Sequence, residues 1–118
     1  MALENIWIAT LSDGLIRADH VAGIEAHQTP ELTGKASRWL LDVTLAAPAG
    51  SGTREGWEIA QLHRTLAQTD GYPSRAAEEL ARTLDYLRRR DIAGVLRAVV
   101  RHETLRFEFF PFDTGEDA

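Results

Sequence analysis

The histidines and carboxylates of the N-terminal half are the residues whose types and spacing could support chemistry. Glu25 and His27 are two residues apart in a predicted strand, so their side chains would lie on the same face. His63 on a neighbouring strand would complete a set of two histidines and one carboxylate, a set that binds metal ions. The spacing matches no established ligand motif, and any small sheet with four histidines could produce it. We therefore predict solvated histidines, with no metal site and no cofactor.

Paired carboxylates are the second candidate for chemistry. Asp19 with Glu25, or Asp42 with Glu58, could face one another across strands and act as an acid–base pair. Such a pair requires a pocket and shifted pKa values, and charged side chains are more often solvated, so we predict solvated carboxylates. The Gly-Ser-Gly-Thr sequence of residues 50–53 lacks the spacing and the lysine of a phosphate-binding loop. The chain has no cysteine, which excludes thiol nucleophiles and zinc–thiolate sites.

The charge distribution limits the partners. The net charge of −5 argues against general binding to phosphate backbones, which requires a basic surface. Between Arg82 and Arg101, however, there are six arginines and two aspartates. Helical pairs four residues apart, Glu78 with Arg82 and Asp85 with Arg89, would neutralise part of this patch. Nucleic-acid binding through the Arg82–Arg101 patch is therefore the third functional hypothesis, behind the two that follow.

The aromatic residues near the C-terminus are the strongest functional signal. Phe107 and Phe109 alternate with charged residues, which predicts a final strand with both on one face. Phe110 and Phe112 would then lie on the opposite face. A strand with apolar residues on both faces must have both faces shielded from water, by its own chain or by a partner. We expect these four phenylalanines to anchor a protein–protein contact, with a second copy of the chain as the favoured partner. A strand covered on both faces within one chain is the alternative.

A small-molecule-binding or enzymatic domain is the second functional hypothesis. Its pocket would lie between sheet and helix, lined by Trp39, Trp57 and Tyr86, with His27 and His63 as polar contacts. No catalytic motif accompanies these residues. We therefore favour a non-catalytic protein.

One helix and several strands must position these residues. Apolar residues at three- and four-residue steps predict a long helix over residues 74–90, with the Ser74 hydroxyl capping its first turn. Alternating residues predict strands over 5–11, 15–18, 22–27, 37–47 and 105–111. In the strand over 37–47, Leu41 and Val43 would lie on one face and Asp42 on the other.

Two segments admit both helix and strand. Residues 57–66 alternate like a strand but also place apolar residues at helical spacing, and we favour the strand. Residues 92–101 have helical spacing after a capping Asp91, whereas Gly94 costs about 1 kcal/mol within a helix. We favour a short helix here, with a hairpin turning at residues 102–103 as the alternative.

The predicted fold class is α+β, with one antiparallel sheet of about four to six strands packed against the helix over residues 74–90. Residues 1–112 form one domain, and residues 113–118 form an acidic tail. A strand meander closed by a helix resembles the half-barrel of pleckstrin-homology-like domains in element order alone, and this resemblance implies no function. The chain has neither an apolar run long enough to span a bilayer nor an N-terminal signal peptide, so we expect a cytoplasmic location. Twelve arginines against one lysine are typical of a GC-rich bacterial genome.

Overall fold

The computed structural model describes residues 3–12, 14–46 and 63–112. Within these ranges the chain forms seven strands and one α-helix: β1 (Ile6–Ala9), β2 (Leu15–Arg17), β3 (Val21–Gln28), β4 (Trp39–Leu45), β5 (His63–Thr69), α1 (Ala76–Arg88), β6 (Gly94–Arg101) and β7 (Thr104–Pro111). Two short 3-10 turns cover Leu3–Asn5 and Ala18–His20. These elements confirm the α+β class. The helices of the described residues are too short or too polar to span a bilayer.

The described strands form two sheets, one in the order β2-β1-β6-β7 and one in the order β3-β4-β5. Neighbouring strands are antiparallel except β1 and β6, which run parallel with Trp7 opposite Val95. The prediction of one antiparallel meander is wrong, because the chain turns at Ala18–His20 and β3 starts a second sheet. Two strands follow the helix, so the element order does not support the resemblance to pleckstrin-homology-like domains.

The hydrophobic core lies between the two sheets and the helix. Ile6, Ile8 and Leu96 of the four-stranded sheet are at most 1% exposed, and so are Leu41 and Val43 of the three-stranded sheet. The predicted alternation of residues 37–47 is thus confirmed for the core face of β4. The other strands predicted before residue 30 are present as β1, β2 and β3, with shifted ends.

Helix α1 packs against β3 and β7, so it contacts one outer strand of each sheet. Its buried side chains include Leu80, Leu84 and Leu87, as the predicted periodicity requires. The helix is shorter than predicted at both ends. Ser74 does not cap it: the residue before the helix is Arg75, in the left-handed conformation with φ 72°, and no described side chain caps the first turn.

The prediction of a helix over residues 92–101 is wrong, because β6 and β7 form a hairpin there. The hairpin turns at His102 and Glu103, which have φ values of 51° and 66°. Two successive left-handed residues are typical of a two-residue type I′ turn. Gly94 is required by packing, since a Cβ at this position would lie 2.7 Å from Cα of Pro111.

Three further predicted segments lie partly or wholly outside the described residues. The described part of residues 57–66 is a strand, as predicted, and β5 continues to Thr69. The glycine-rich sequence of residues 50–53 and the acidic tail of residues 113–118 lie outside the described residues.

Candidate functional site

Asp42 is the buried polar residue at the centre of the three-stranded sheet, with 6% exposure. Its Oδ1 accepts a hydrogen bond from the Thr65 hydroxyl at 2.7 Å, and its Oδ2 lies 2.6 Å from Nε2 of His27. Because β4 is the middle strand, β3 and β5 each supply one partner. These bonds offset the cost of burying the carboxyl group. The prediction that Asp42 is a solvated carboxylate is therefore wrong.

A β-bulge places Thr65 beside Asp42. In the β4–β5 register, Leu41 lies opposite Ala67 and Asp42 lies opposite Thr65, so Leu66 is the extra residue. Leu66 is 3% exposed and belongs to the core. Because of the bulge, the Leu66 side chain lies on the core face of the sheet, while the Thr65 hydroxyl lies beside the Asp42 carboxylate on the other face. Nothing in the local sequence signals this shift; the one available hint is an aspartate flanked by Leu41 and Val43 in the most regular strand.

The hydroxyl–carboxylate–imidazole arrangement orients His27. The His27 side chain is 45% exposed, whereas that of Asp42 is 8% exposed. A buried carboxylate that holds one nitrogen of an accessible imidazole is the arrangement that positions a histidine general base. The contact occupies Nε2, so Nδ1 is the nitrogen that can exchange a proton with solvent or a ligand.

The other residues proposed for metal or acid–base chemistry do not form such a site. Within residues 3–12, 14–46 and 63–112, no three histidine or acidic side chains are close enough to hold a metal ion. His63 lies opposite Thr44, while Glu25 lies opposite Asp42. Asp19 is paired with Arg17 at 2.7 Å, and the hydrogen bond from that guanidinium lowers the pKa of the carboxyl. Glu58 is outside the described residues.

Among the described residues predicted to line a ligand pocket, Trp39 and His27 lie on opposite faces of the three-stranded sheet. Trp39 is opposite Gln28, and the next pair along is Leu40 with His27, so Trp39 and His27 point to opposite faces of the sheet. The Trp39 ring packs against Tyr72, with centroids 4.9 Å apart. Tyr86 is on the helix, where the Arg90 guanidinium lies 4.2 Å above its ring. His63 shares the polar face of the sheet with His27, and Trp57 lies outside the described residues.

The Arg82–Arg101 patch is largely compensated by acidic side chains. Four of its six arginines form ion pairs at 2.6–3.1 Å: Arg82 with Glu78, Arg88 and Arg89 with Asp85, and Arg101 with Glu108. The hydrogen bond from Arg88 lowers the pKa of Asp85, and that from Arg82 lowers the pKa of Glu78. Paired arginines are less available to phosphate groups.

Strand β7 has an incompletely covered inner face. Its side chains Leu105, Phe107 and Phe109 pack against the core but are only partly buried. In contrast, Ile8 of β1 and Leu96 of β6, on the same face, are at most 1% exposed. The difference follows from position, because β7 is the last strand of its sheet among the described residues.

The outer face of the four-stranded sheet carries exposed apolar side chains. Phe110 is opposite Val95, which is opposite Trp7, so these three residues form a row across β7, β6 and β1. Phe110 is 47% exposed, and Phe112, just beyond the strand, is 48% exposed. The predicted division between the two faces of the strand is thus present for Phe107 and Phe109 against Phe110.

Comparisons with known proteins do not assign a function. No protein-family model matches the chain, and no curated protein or solved structure is significantly similar to it. The function must therefore be inferred from the polar cluster of Asp42, His27 and Thr65 and from the two faces of β7.

Proposed function

We propose that the chain is a cytoplasmic, non-catalytic domain that works by protein–protein contact, and that a second copy of the chain binds along β7. The observation that supports this proposal is the position of an aromatic strand at the edge of a sheet. Phe110 is half-exposed on the outer face, while Phe107 and Phe109 are incompletely covered on the inner face. Burying this apolar surface in a contact would stabilise the complex by about 25 cal/mol per Å².

A second copy is the simplest partner for such a strand. Edge strands present unpaired N–H and C=O groups, which another strand can satisfy. When two identical edges pair antiparallel, both copies use the same surface, which is the closed two-fold arrangement of most homodimers. The pairing would cover the aromatic side chains on both faces at the same time.

Light scattering coupled to size-exclusion chromatography tests this proposal. We expect the mass of a dimer from low to high micromolar concentration. Phe110→Ser should weaken the dimer by about tenfold or more, because it removes an aromatic anchor from each copy. Leu32→Ser is the matched control, since Leu32 is 61% exposed in the loop between β3 and β4. A wild-type monomer at high micromolar concentration would contradict the proposal.

A ligand-binding or catalytic function is the second candidate, and the contact between His27 and Asp42 favours it. If Asp42 positions His27 for proton transfer, neutral His27 should carry its proton on Nε2, facing the carboxylate. Nitrogen chemical shifts of the imidazole measured by NMR distinguish the two tautomers, and His102 in the exposed hairpin turn is the reference. A proton on Nδ1 of His27 would remove this candidate.

A further inference from the structure

We propose that two copies pair antiparallel through β7 with Phe107 on the two-fold axis, so that Arg106 of each copy lies opposite Glu108 of the other. This inference rests on the proposed self-association through β7 and adds the register of the two paired strands. Three observations carry it: the hydrogen-bonding groups of β7 that no described strand pairs with, the order of charges along its outer face, and the partial burial of its inner face.

The backbone geometry identifies the groups that an incoming strand would use. The N–H of Phe112 donates to the carbonyl of Ala93 at 3.0 Å, which continues the ladder between β7 and β6. Backbone groups alternate in direction along an antiparallel strand. The N–H and C=O groups of Leu105, Phe107 and Phe109 therefore point away from β6, to the edge where none of the described strands pairs.

The order of charges selects one register. A pairing centred on residue 106 would place the two Arg106 side chains opposite each other, and one centred on residue 108 would do the same for the two Glu108 side chains. A pairing centred on Phe107 places Arg106 opposite Glu108 twice. Opposite charges on directly opposed residues stabilise a sheet, whereas like charges destabilise it. The register centred on Phe107 is thus the favoured one.

Contacts within the chain extend the charge pattern. Glu108 lies opposite Arg97 of β6 in the same copy, and its carboxylate is 3.1 Å from Arg101. On its other side it would meet Arg106 of the second copy. The outer face of the dimer would then carry two rows in which a glutamate lies between arginines, related by the two-fold axis.

The same register covers the inner face. Phe107 would meet Phe107 of the second copy, and Leu105 would meet its Phe109. These are the three β7 side chains that pack against the core and yet are only partly buried. The core face of the sheet would thus continue across the axis without a polar interruption.

Disulfide mapping tests the register, because the natural chain has no cysteine. Arg106→Cys and Glu108→Cys are prepared separately, mixed, and equilibrated in a glutathione redox buffer. Directly opposed residues that are not hydrogen-bonded have Cα atoms about 4.5 Å apart, within the range a disulfide spans. We expect the mixed disulfide to exceed either self-linked dimer several-fold. Thr33→Cys, exposed in the loop between β3 and β4, reports collisional cross-linking.

The other outcomes separate this inference from the proposed function. Efficient self-linking of the Arg106→Cys variant, or of the Glu108→Cys variant, would overturn the register in favour of a neighbouring one. A dimer by light scattering without cross-linking above the Thr33→Cys level would overturn pairing through β7, both here and in the proposed function, and would leave only self-association through another surface. A monomer at every concentration would overturn both proposals.

Discussion

Oδ2 of Asp42 lies 2.6 Å from Nε2 of His27, and this contact joins the middle strand of the smaller sheet to one of its outer strands. The carboxylate is buried while the imidazole is half-exposed. The other carboxylate oxygen of Asp42, Oδ1, accepts a hydrogen bond from the Thr65 hydroxyl in β5. The buried side chain of Asp42 thus links all three strands of the smaller sheet.

Replacing Asp42 should therefore destabilise the fold. Asp42→Ala leaves the Thr65 hydroxyl without its acceptor and is expected to lower the free energy of unfolding by about 2–3 kcal/mol. Denaturation in urea measures this value. Asp70→Ala is the control, because the Asp70 side chain is 70% exposed and pairs with Arg38 only at the surface; its effect should stay within about 0.5 kcal/mol. Equal effects of the two substitutions would show that the Asp42 cluster does not stabilise the fold.

Gly94 is a second position where the structure predicts a measurable loss of stability on substitution. A Cβ there would lie 2.7 Å from Cα of Pro111, and backbone cannot move aside as a side chain can. Gly94→Ala should lower the free energy of unfolding by about 1–3 kcal/mol, because the added methyl group overpacks the site. At Gly71 a Cβ would meet nothing within 4 Å, so Gly71→Ala is the matched control. Thermal unfolding of the two variants checks the prediction, which fails if Gly94→Ala is as stable as the control.

The proposed dimer responds to charge in a defined way. Arg106→Glu would place like charges opposite each other at two points and should weaken the dimer by about tenfold. In the double variant Arg106→Glu with Glu108→Arg, the opposed charges differ in sign again, so much of the affinity should return. Sedimentation equilibrium at low salt measures both. An equal loss in the double variant would contradict the assigned register.

Acid should weaken the ion pairs on the helix. The hydrogen bond from Arg88 holds the pKa of Asp85 below its usual 3.8, so the pair stabilises the folded state above that value. The contribution is lost as pH falls through the lowered pKa of the folded state. Asp85→Asn should therefore reduce stability at neutral pH and have little effect in strong acid. Unfolding curves of the two proteins across this range should converge in acid; a constant difference would show that ionisation of Asp85 is not responsible.

The spacing of apolar residues along the sequence correctly predicted which side chains of a strand or helix lie on the same face. Alternation identified the buried face of β4 at Leu41 and Val43, and it divided Phe107 and Phe109 from Phe110. The spacing of leucines located the buried stripe of α1. In each case the side-chain direction follows from backbone geometry alone, so a single segment contains the information.

The features that were missed depend on distant parts of the chain. Residues 94–101 have helical spacing, but they are a strand because β1 and β7 pair on both sides. The turn at His102 and Glu103 is a weak signal in the sequence, since type I′ turns favour Asn-Gly or Asp-Gly at these two positions. Asp42 looked like a surface carboxylate because its hydrogen-bond partners, His27 and Thr65, belong to two other strands, and the register shift that brings Thr65 opposite it is not visible in the local sequence.

The parallel pairing of β1 with β6 has a consequence for how the domain folds. Ile6 lies opposite Gly94 in that pairing, so two segments that are far apart in the sequence must come together. During synthesis β1 emerges first, and β6 emerges only after all the strands between them. Pairings between distant segments form slowly, because a long loop must be closed before any contact stabilises it. The pairing of β1 with β6 is therefore expected to form late in folding.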